Sequence, residues 1–472
     1  MEFLNANLET ISWFLYLFSA LLFIQGLRLM NSPRTARKGN FVSIVGMIIA
    51  VIVALFHSFY NGFASATAIV LLLLGIAVGA AFGFVTAKKV KMTAMPQLVS
   101  LFNTVGGGAA ALVAINDALV AVNQPISTII TIILGIIIGS VTFTGSLIAA
   151  GKLQGIVSGS PVRVPLKKLI DGLCLIGIVL CAYMMFSSNT FGYGAWLPII
   201  ALTAFSLILG ITFVMPIGGA DMPVVISILN ACTGTAVAMA GFVINNLIMI
   251  VAGALVGAAG GILSKLMAEA MNRSLINILA GGFGDTGTTS SDTGAEMTMV
   301  ETTADDVAVQ MAFAARAIIV PGYGLAVAGA QHEIANLTKI LESKGVEVLF
   351  AIHPVAGRMP GHMNVLLAEA NISYEKLIAL EDVNPMFSTA DIALVVGAND
   401  VTNPAARRTG TPISGMPILD VDAAKNVVVI KRGRGKGYAG IENELYGLPQ
   451  TKMLYGDAKN AVGSIIAAVK EL

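Results

Sequence analysis

Ala317-Ile318-Ile319-Val320-Pro321-Gly322-Tyr323-Gly324-Leu325-Ala326-Val327 reads as a buried strand, a glycine turn of the form G-x-G-x-x-V and the start of a helix that continues to about Ser343. A short β-branched run closed by Pro and Gly suits a strand covered on both faces. Working outward, the short apolar runs 346–352, 392–396 and 427–430 alternate with helical patterns. That alternation predicts a parallel, doubly wound α/β sheet of Rossmann-like layout. Strand, glycine turn and helix in this order bring backbone N–H groups toward a pyrophosphate. Gly322, Tyr323, Gly324 and Val327 therefore read as a dinucleotide cradle, a merely tight βα turn being the other reading.

Upstream, the chain changes character once, between Ser264 and Arg273. Of its 472 residues 56% are hydrophobic, only 12% are charged and 50 are glycine, a balance that excludes an ordinary soluble globular protein. Nine apolar blocks precede the change, at 11–29, 41–57, 66–87, 95–115, 127–150, 166–186, 195–215, 221–243 and 245–266. Each is near the roughly 20 residues needed to cross about 30 Å of hydrocarbon. The expected fold is a polytopic α-helical membrane domain of about nine spans over 1–270, in contact with lipid, then a Gly/Ser/Thr-rich linker over 271–306 and the α/β domain over 307–472. The N-terminus lacks the pattern of a cleaved signal peptide, so the first block reads as a retained span. Cys174, Cys181 and Cys232 lie in apolar blocks without disulfide or zinc spacing.

Short loops rich in Lys and Arg stay on the cytoplasmic side. Arg28, Arg34, Arg37 and Lys38 follow the first block, Lys88, Lys89 and Lys91 the third, Lys152, Arg163, Lys167 and Lys168 the fifth, and Lys265 and Arg273 the ninth. Nine spans then put the N-terminus outside and the α/β domain in the cytoplasm. The loop after the seventh block, Pro216-Ile217-Gly218-Gly219-Ala220, belongs on the inner side yet carries no cation. Glycines at four-residue spacing, Gly75, Gly79 and Gly83, Gly135 and Gly139, and Gly253, Gly257 and Gly261, read as tight helix packing, a dimer seam being the other reading.

Polar residues inside spans are costly and mark function. Asp117 sits at an outer edge, Asp171 just inside an inner one, and Asp221 at the inner start of the eighth span, while Asn103 and Asn230 lie deeper. Asp221 suits a helix N-cap as well as a proton path. Asn103 and Asn230 suit interhelical hydrogen bonds as well as a water-lined path. His57 falls at an outer span end, an interfacial position.

An NAD site places an acid near the end of the second strand, where this chain has His353-Pro354. Cations appear instead in Lys431-Arg432-Gly433-Arg434-Gly435-Lys436-Gly437-Tyr438, at the carboxyl end of the strand 427–430. That place and charge suit a 2′-phosphate, favouring NADP(H) over NAD(H). A solvated basic loop is the plainer reading, and tethering to a membrane disfavours nucleic acid. Two more loops lie on the ligand edge. One is 353–364, with Arg358 placed for the pyrophosphate. The other is Gly397-Ala398-Asn399-Asp400, where Asp400 caps a helix or meets ribose or nicotinamide and senses protonation. No nucleophile with a paired base and no metal cluster is evident, so the expected chemistry is hydride transfer carried by the nucleotide.

Several longer stretches, 218–225 (GGADMPVV), 141–146 (VTFTGS), 270–274 (AMNRS), 353–370, 397–400 and Lys431-Arg432 with Gly437-Tyr438-Ala439-Gly440, resemble the β subunits of bacterial proton-translocating NAD(P) transhydrogenases, and the resemblance spans essentially the whole chain. It implies an inner-membrane oxidoreductase and translocase in which this subunit binds NADP(H) and supplies most of the proton-conducting helices. A separate α subunit binds NAD(H), hydride passes directly between the nicotinamides, and two αβ units form a dimer. It further implies that Lys431, Arg432 and Tyr438 hold the 2′-phosphate end, Gly322 and Gly324 the nucleotide backbone and Arg358 the phosphates, in an orientation reversed from the usual dinucleotide fold. Asp400 would then belong to the coupling machinery, and Asp221, Asn230, Arg273 and Ser274 to the proton path and its cytoplasmic junction, with Asn103 on the path as well.

Two positions depart from that family. Asn103 stands where a relay histidine is usual: either the titrating group sits on a helix of the α subunit, the favoured reading, or water and Asn103 suffice. Gly433 stands where a phosphate-binding serine is common, with Arg434 and Lys436 as compensation. A competing class is a secondary transporter with an NADP-sensing regulatory domain; it needs a mid-membrane site built on broken helices, and these spans show few polar residues and no convincing inverted repeat.

Overall fold

A computed structural model describes residues 2–60, 66–90, 94–120, 125–158, 162, 164–187, 196–218, 221–271, 274–279, 299–357, 361–411, 413–433, 437, 439 and 441–472. The chain divides into two compact units, Met1–Ile217 with Val225–Leu263, and Gly218–Val224 with Ser264–Leu472.

Among the described residues nine helices are long and apolar enough to cross a membrane. They are α1 (Glu2–Met30), α2 (Pro33–Tyr60), α3 (Ala66–Lys89), α4 (Met95–Val120), α5 (Ile126–Gln154), α6 (Lys167–Ser187), α7 (Trp196–Val214), α8 (Met222–Val243) and α9 (Leu247–Ala270), followed by the short α10 (Leu275–Leu279). Small residues set the closest approaches, as packing in lipid requires. A Cβ on Gly139 of α5 would lie 2.6 Å from Gly107 O of α4, and one on Gly253 of α9 would lie 2.6 Å from Gly234 O of α8. Gly135 and Gly257 also meet a neighbouring helix, whereas Gly75, Gly79, Gly83 and Gly261 meet nothing within 4 Å. The expectation of tight packing thus fits the rows on α5 and most of α9 but fails on α3, of which no part is buried.

The second unit carries β1 (Val300–Glu301), α11 (Ala304–Ala312), β2 (Arg316–Pro321), α12 (Tyr323–Ala328), α13 (Gln331–Ser343), β3 (Glu347–Ile352), α14 (His362–Glu369), β4 (Leu377–Ala379), α15 (Leu380–Phe387), β5 (Ile392–Val396), β6 (Val427–Lys431), β7 (Thr451–Tyr455) and α16 (Ala458–Glu471). All pairings are parallel, in the order β1-β7-β6-β5-β2-β3-β4. All five residues of β5 are buried, as are Ala317 to Pro321 of β2, so the central strands are covered on both faces and read as continuous apolar runs. One face of the core gathers Ile318, Val320, Val395 and Val429 with Phe387 and Val383 of α15. The sheet begins at Val300, so the last residues of the stretch read as a linker, 300–306, belong to a paired strand and to the start of α11. The rest of that linker falls mostly outside the described residues. The single helix expected after the glycine turn is two helices, because Gly329 adopts a left-handed φ of 64° and ends α12.

Candidate functional site

Chain order reverses between β2 and β5: β3 and β4 lie beyond β2, β6 and β7 beyond β5. A crevice at the carboxyl ends of such a pair is where doubly wound sheets bind ligands. Here two glycine loops cross. Gly322 N–H donates to Val396 O at 2.9 Å and Gly324 N–H to Gly397 O at 2.9 Å. A Cβ on Gly322 would overlap Gly397 O and the Ala398 backbone, and one on Gly324 would lie 2.7 Å from Gly397 Cα. Gly397 itself has φ 68°, open to glycine at little cost. The two glycine N–H groups are therefore committed to the neighbouring loop rather than aimed at a pyrophosphate, and absent side chains are what allow the backbones to meet. Tyr323 and Val327 lie on α12, with Val327 exposed.

One strand further along, Lys431 ends β6. Its Nζ lies 4.6 Å from the centre of the Tyr446 ring, a cation–π contact. Burial pulls the Lys431 ammonium below the ordinary lysine range, while the charges of Asp400 and Glu442 push it back up. Arg432 pairs with Asp457 at 3.5 Å, and Asp457 also caps α16 by accepting from Lys459 N–H. Burial pushes the Tyr446 phenol well above its usual range, and its hydroxyl donates to Asn399 Oδ1 at 3.1 Å.

The loop after β5 and the loop after β6 are clasped together. Asp400 Oδ2 accepts from Ala439 N–H at 3.0 Å. A Cβ on Gly437 would overlap the Asp400 carboxylate and lie 2.8 Å from Asn399 Nδ2. Asn403 and Asn443, both fully buried, work as a crossed pair. Each opens a short turn by accepting from the N–H two residues on, Ala405 and Leu445 respectively. Each then donates to the other loop, Asn403 to Glu442 O and Asn443 to Asn399 O, both at 3.0 Å. A small satellite core of Ala405, Ala406, Ile413 and Ile418 with Ala439 and Ile441 joins the same two segments. Gly397, Ala398, Asn399, Asp400, Lys431 and Gly437 are thus brought together. Asn443, Tyr446 and Asp457 complete the arrangement and were not anticipated from the sequence.

The loop after β3 is tied in as well. His353 occupies the position where an acid would meet a ribose in an NAD site, and it is turned inward, 2% exposed. Its Nε2 bonds Pro417 O at 2.7 Å and its Nδ1 accepts from Val355 N–H at 3.2 Å, a pattern that fixes the neutral tautomer with the proton on Nε2. Burial accordingly holds its pKa down at about 4.

In the membrane unit Asn103 is buried between helices. Its Nδ2 donates to Ile226 O of α8 at 3.4 Å, and Thr233 Oγ1 of α8 reaches Asn103 O at 3.4 Å. Asn230 lies half-buried on α8, Asp221 directly precedes that helix with its N–H on Gly218 O, and Ser274 is exposed before α10. Lys152, at the end of α5 and 4% exposed, donates to Met215 O at 2.5 Å and Ile217 O at 2.8 Å. The cation missing from the loop after α7 is thus supplied by α5, where it meets the carbonyls at a helix C-terminus. Arg273, Arg358 and Tyr438, with Arg434 and Lys436, lie outside the described residues, as does the side chain of His57.

A multi-pass helical membrane unit is thus joined to a doubly wound parallel sheet with a glycine crossing at its switch point and cations one strand away, the layout of a membrane protein that carries a Rossmann-like domain. A family model described as NAD(P) transhydrogenase beta subunit matches residues 12–468. Two sequences of NAD(P) transhydrogenase subunit beta from Rhodospirillum rubrum, one of them from a named strain, are each 45% identical over 465 residues, covering 96% of this chain and 98% of the relative. The chain belongs to the NAD(P) transhydrogenase beta subunit family. It is a multi-pass membrane protein of an enzyme acting on NAD(P)(H), and its subunit designation implies an α partner.

Proposed function

We propose that this chain binds NADP(H) in its sheet domain and couples hydride transfer, between NADH held by the α subunit and NADP⁺, to proton movement through its membrane helices. The observation that carries this reading is the placement of Lys431 and Arg432 at the carboxyl end of β6, one strand from the Gly322–Gly397 crossing. A 2′-phosphate there would displace Asp457 from Arg432 and offset the burial of the Lys431 ammonium. Gly322, Gly324, Gly397 and Ala398 would admit the nucleotide backbone, with Tyr323, Val327, Arg358, Asn399, Gly437 and Tyr438 around it, and Asp400 would respond to protonation. Asn103, Asp221, Asn230, Arg273 and Ser274 make the proton path. The sheet domain faces the cytoplasm, the N-terminus lies outside the inner membrane, and two αβ units assemble. These groups bind and orient; the nicotinamide supplies the hydride chemistry.

Calorimetry on the full chain in detergent, comparing NADP(H) with NAD(H), tests the reading. A preference for NADP(H) that Lys431→Ala/Arg432→Ala abolishes supports it. Equal affinity for the two nucleotides refutes it.

A further inference from the structure

Intramembrane charges are normally matched by partners, and two of those in the described spans are. Lys152 meets two carbonyls, and Asp171 accepts from Thr212 Oγ1 at 2.6 Å and pairs with Lys167 at 3.2 Å. Asp117 is different. Its Oδ2 is buried and has no hydrogen-bond partner among the described residues. It also stands in the last turn of α4, three residues before Val120, where no basic residue accompanies it. A carboxylate at a helix C-terminus is opposed by the helix dipole as well as by burial. Among the described residues nothing in the packing compensates, so their packing does not account for an acid here.

Position supplies the account. Asp117 follows Asn103 by fourteen residues, which at 3.6 residues per turn returns to nearly the same face of α4. The separation is about 21 Å along the helix. Between them the buried Gly107, Ala110 and Ala114 line that face, against Gly139 and Gly135 of α5 and Ala236 and Ala240 of α8. No Asp, Glu, Lys, Arg or His occurs in α7 or α8. The only such group on α5 is Lys152, seventeen residues from the level of Gly135 and so about 26 Å away. In α6, which shares a buried cluster with Ala114 and Ala118, the charges Lys167, Lys168 and Asp171 lie in its first turns and Cys181 and Tyr183 are titratable groups nearer its other end.

We infer that Asp117 is the outer proton-exchanging group of the path that reaches Asn103, taking protons from and returning them to the aqueous phase at the end of α4 remote from Met95. The inference rests on the proton-coupling reading above. It explains how a path with an asparagine at its centre has a titrating group in this chain: the asparagine orients and the terminal acid exchanges.

The test uses the complete αβ enzyme in proteoliposomes, recording proton movement during NADH-to-NADP⁺ hydride transfer while the pH outside and inside is varied separately. Asp117→Asn should slow proton movement roughly a hundredfold, the scale of a lost proton-transfer group, with NADP(H) binding unchanged. Asp117→Glu should restore movement and shift only the outer-pH profile. If wild-type enzyme moves no protons, the coupling reading falls and this inference with it. If wild type pumps and both variants keep its rate and outer-pH profile, only Asp117 is overturned. An Asn variant that fails to assemble leaves the Glu profile to decide.

Discussion

Substituting Gly322 by Ala separates two reasons for a glycine at a nucleotide turn. Were the glycine there only to let a phosphate approach, the ligand-free protein would tolerate a methyl group and lose affinity alone. The crossing demands more: the new Cβ overlaps Gly397 O and the Ala398 backbone, neither of which is the flexible end of a side chain. Relief requires the β2 and β5 loops to separate, straining the bonds from Gly322 N–H to Val396 O and from Gly324 N–H to Gly397 O. Overpacking of this kind costs about 1–3 kcal/mol, and more where backbone must move. For a domain of this size each kcal/mol lowers Tm by roughly 2–4 °C. Differential scanning calorimetry of the nucleotide-free chain should therefore show the sheet-domain transition lowered by about 2–12 °C. Hydrogen exchange should quicken in peptides covering 316–325 and 392–400. Gly433→Ala is the control, since nothing lies within 4 Å of that glycine and its stability should not change. An unaltered nucleotide-free transition in Gly322→Ala, with only affinity lost, would refute the crossing argument.

Asn443→Ala removes bonds to Asn399 O, Thr402 Oγ1 and Leu445 N–H and should cost about 2–3 kcal/mol, read as faster exchange in both clasped loops and weaker NADP(H) binding. Asp457→Asn keeps a side-chain oxygen to cap α16 yet frees Arg432, so NADP(H) affinity should rise a few-fold while NAD(H) affinity stays the same, as titration calorimetry would show. His353, depressed from 6.5 to about 4, is neutral when folded, so as pH falls the unfolded chain takes up the proton first. Its contribution of roughly 3 kcal/mol is full above pH 6.5 and is lost between 6.5 and 4, and urea unfolding at pH 7 and pH 5 should differ less in His353→Gln.

The four central strands were legible because burial on both faces leaves uninterrupted apolar runs. β1 and β4, two and three residues long, and β7, whose Lys452 interrupts the pattern, fall below what periodicity resolves. The helix break at Gly329 needed a φ that a single glycine does not announce. Lys431, Arg432 and Asp400 were legible as a cation run and a polar loop following strands, but their partners were not. Asn443 lies 44 residues from Asn399, and Lys152 lies 63 residues from the Met215 carbonyl it serves. Spacing along the chain says nothing of such pairs. The signal that did exist was local, since both Asn403 and Asn443 open turns by bonding the N–H two residues on.

The clasp also gives Asp400 a physical route to Lys431, where the proposed 2′-phosphate would sit. Its negative charge sustains the Lys431 ammonium against burial, and its Oδ2 holds Ala439 in the loop that follows Lys431. Neutralising Asp400 weakens both at once and also removes a negative charge that would repel a 2′-phosphate, so a proton there and a phosphate at Lys431 are linked. By linkage the effect is reciprocal: a phosphate that draws on Lys431 must change the proton affinity of Asp400 by the same factor. Asp400→Asn should thus remove the pH dependence of NADP(H) affinity. If the affinity of that variant still varies with pH as in wild type, Asp400 is not the group through which protons and nucleotide are joined.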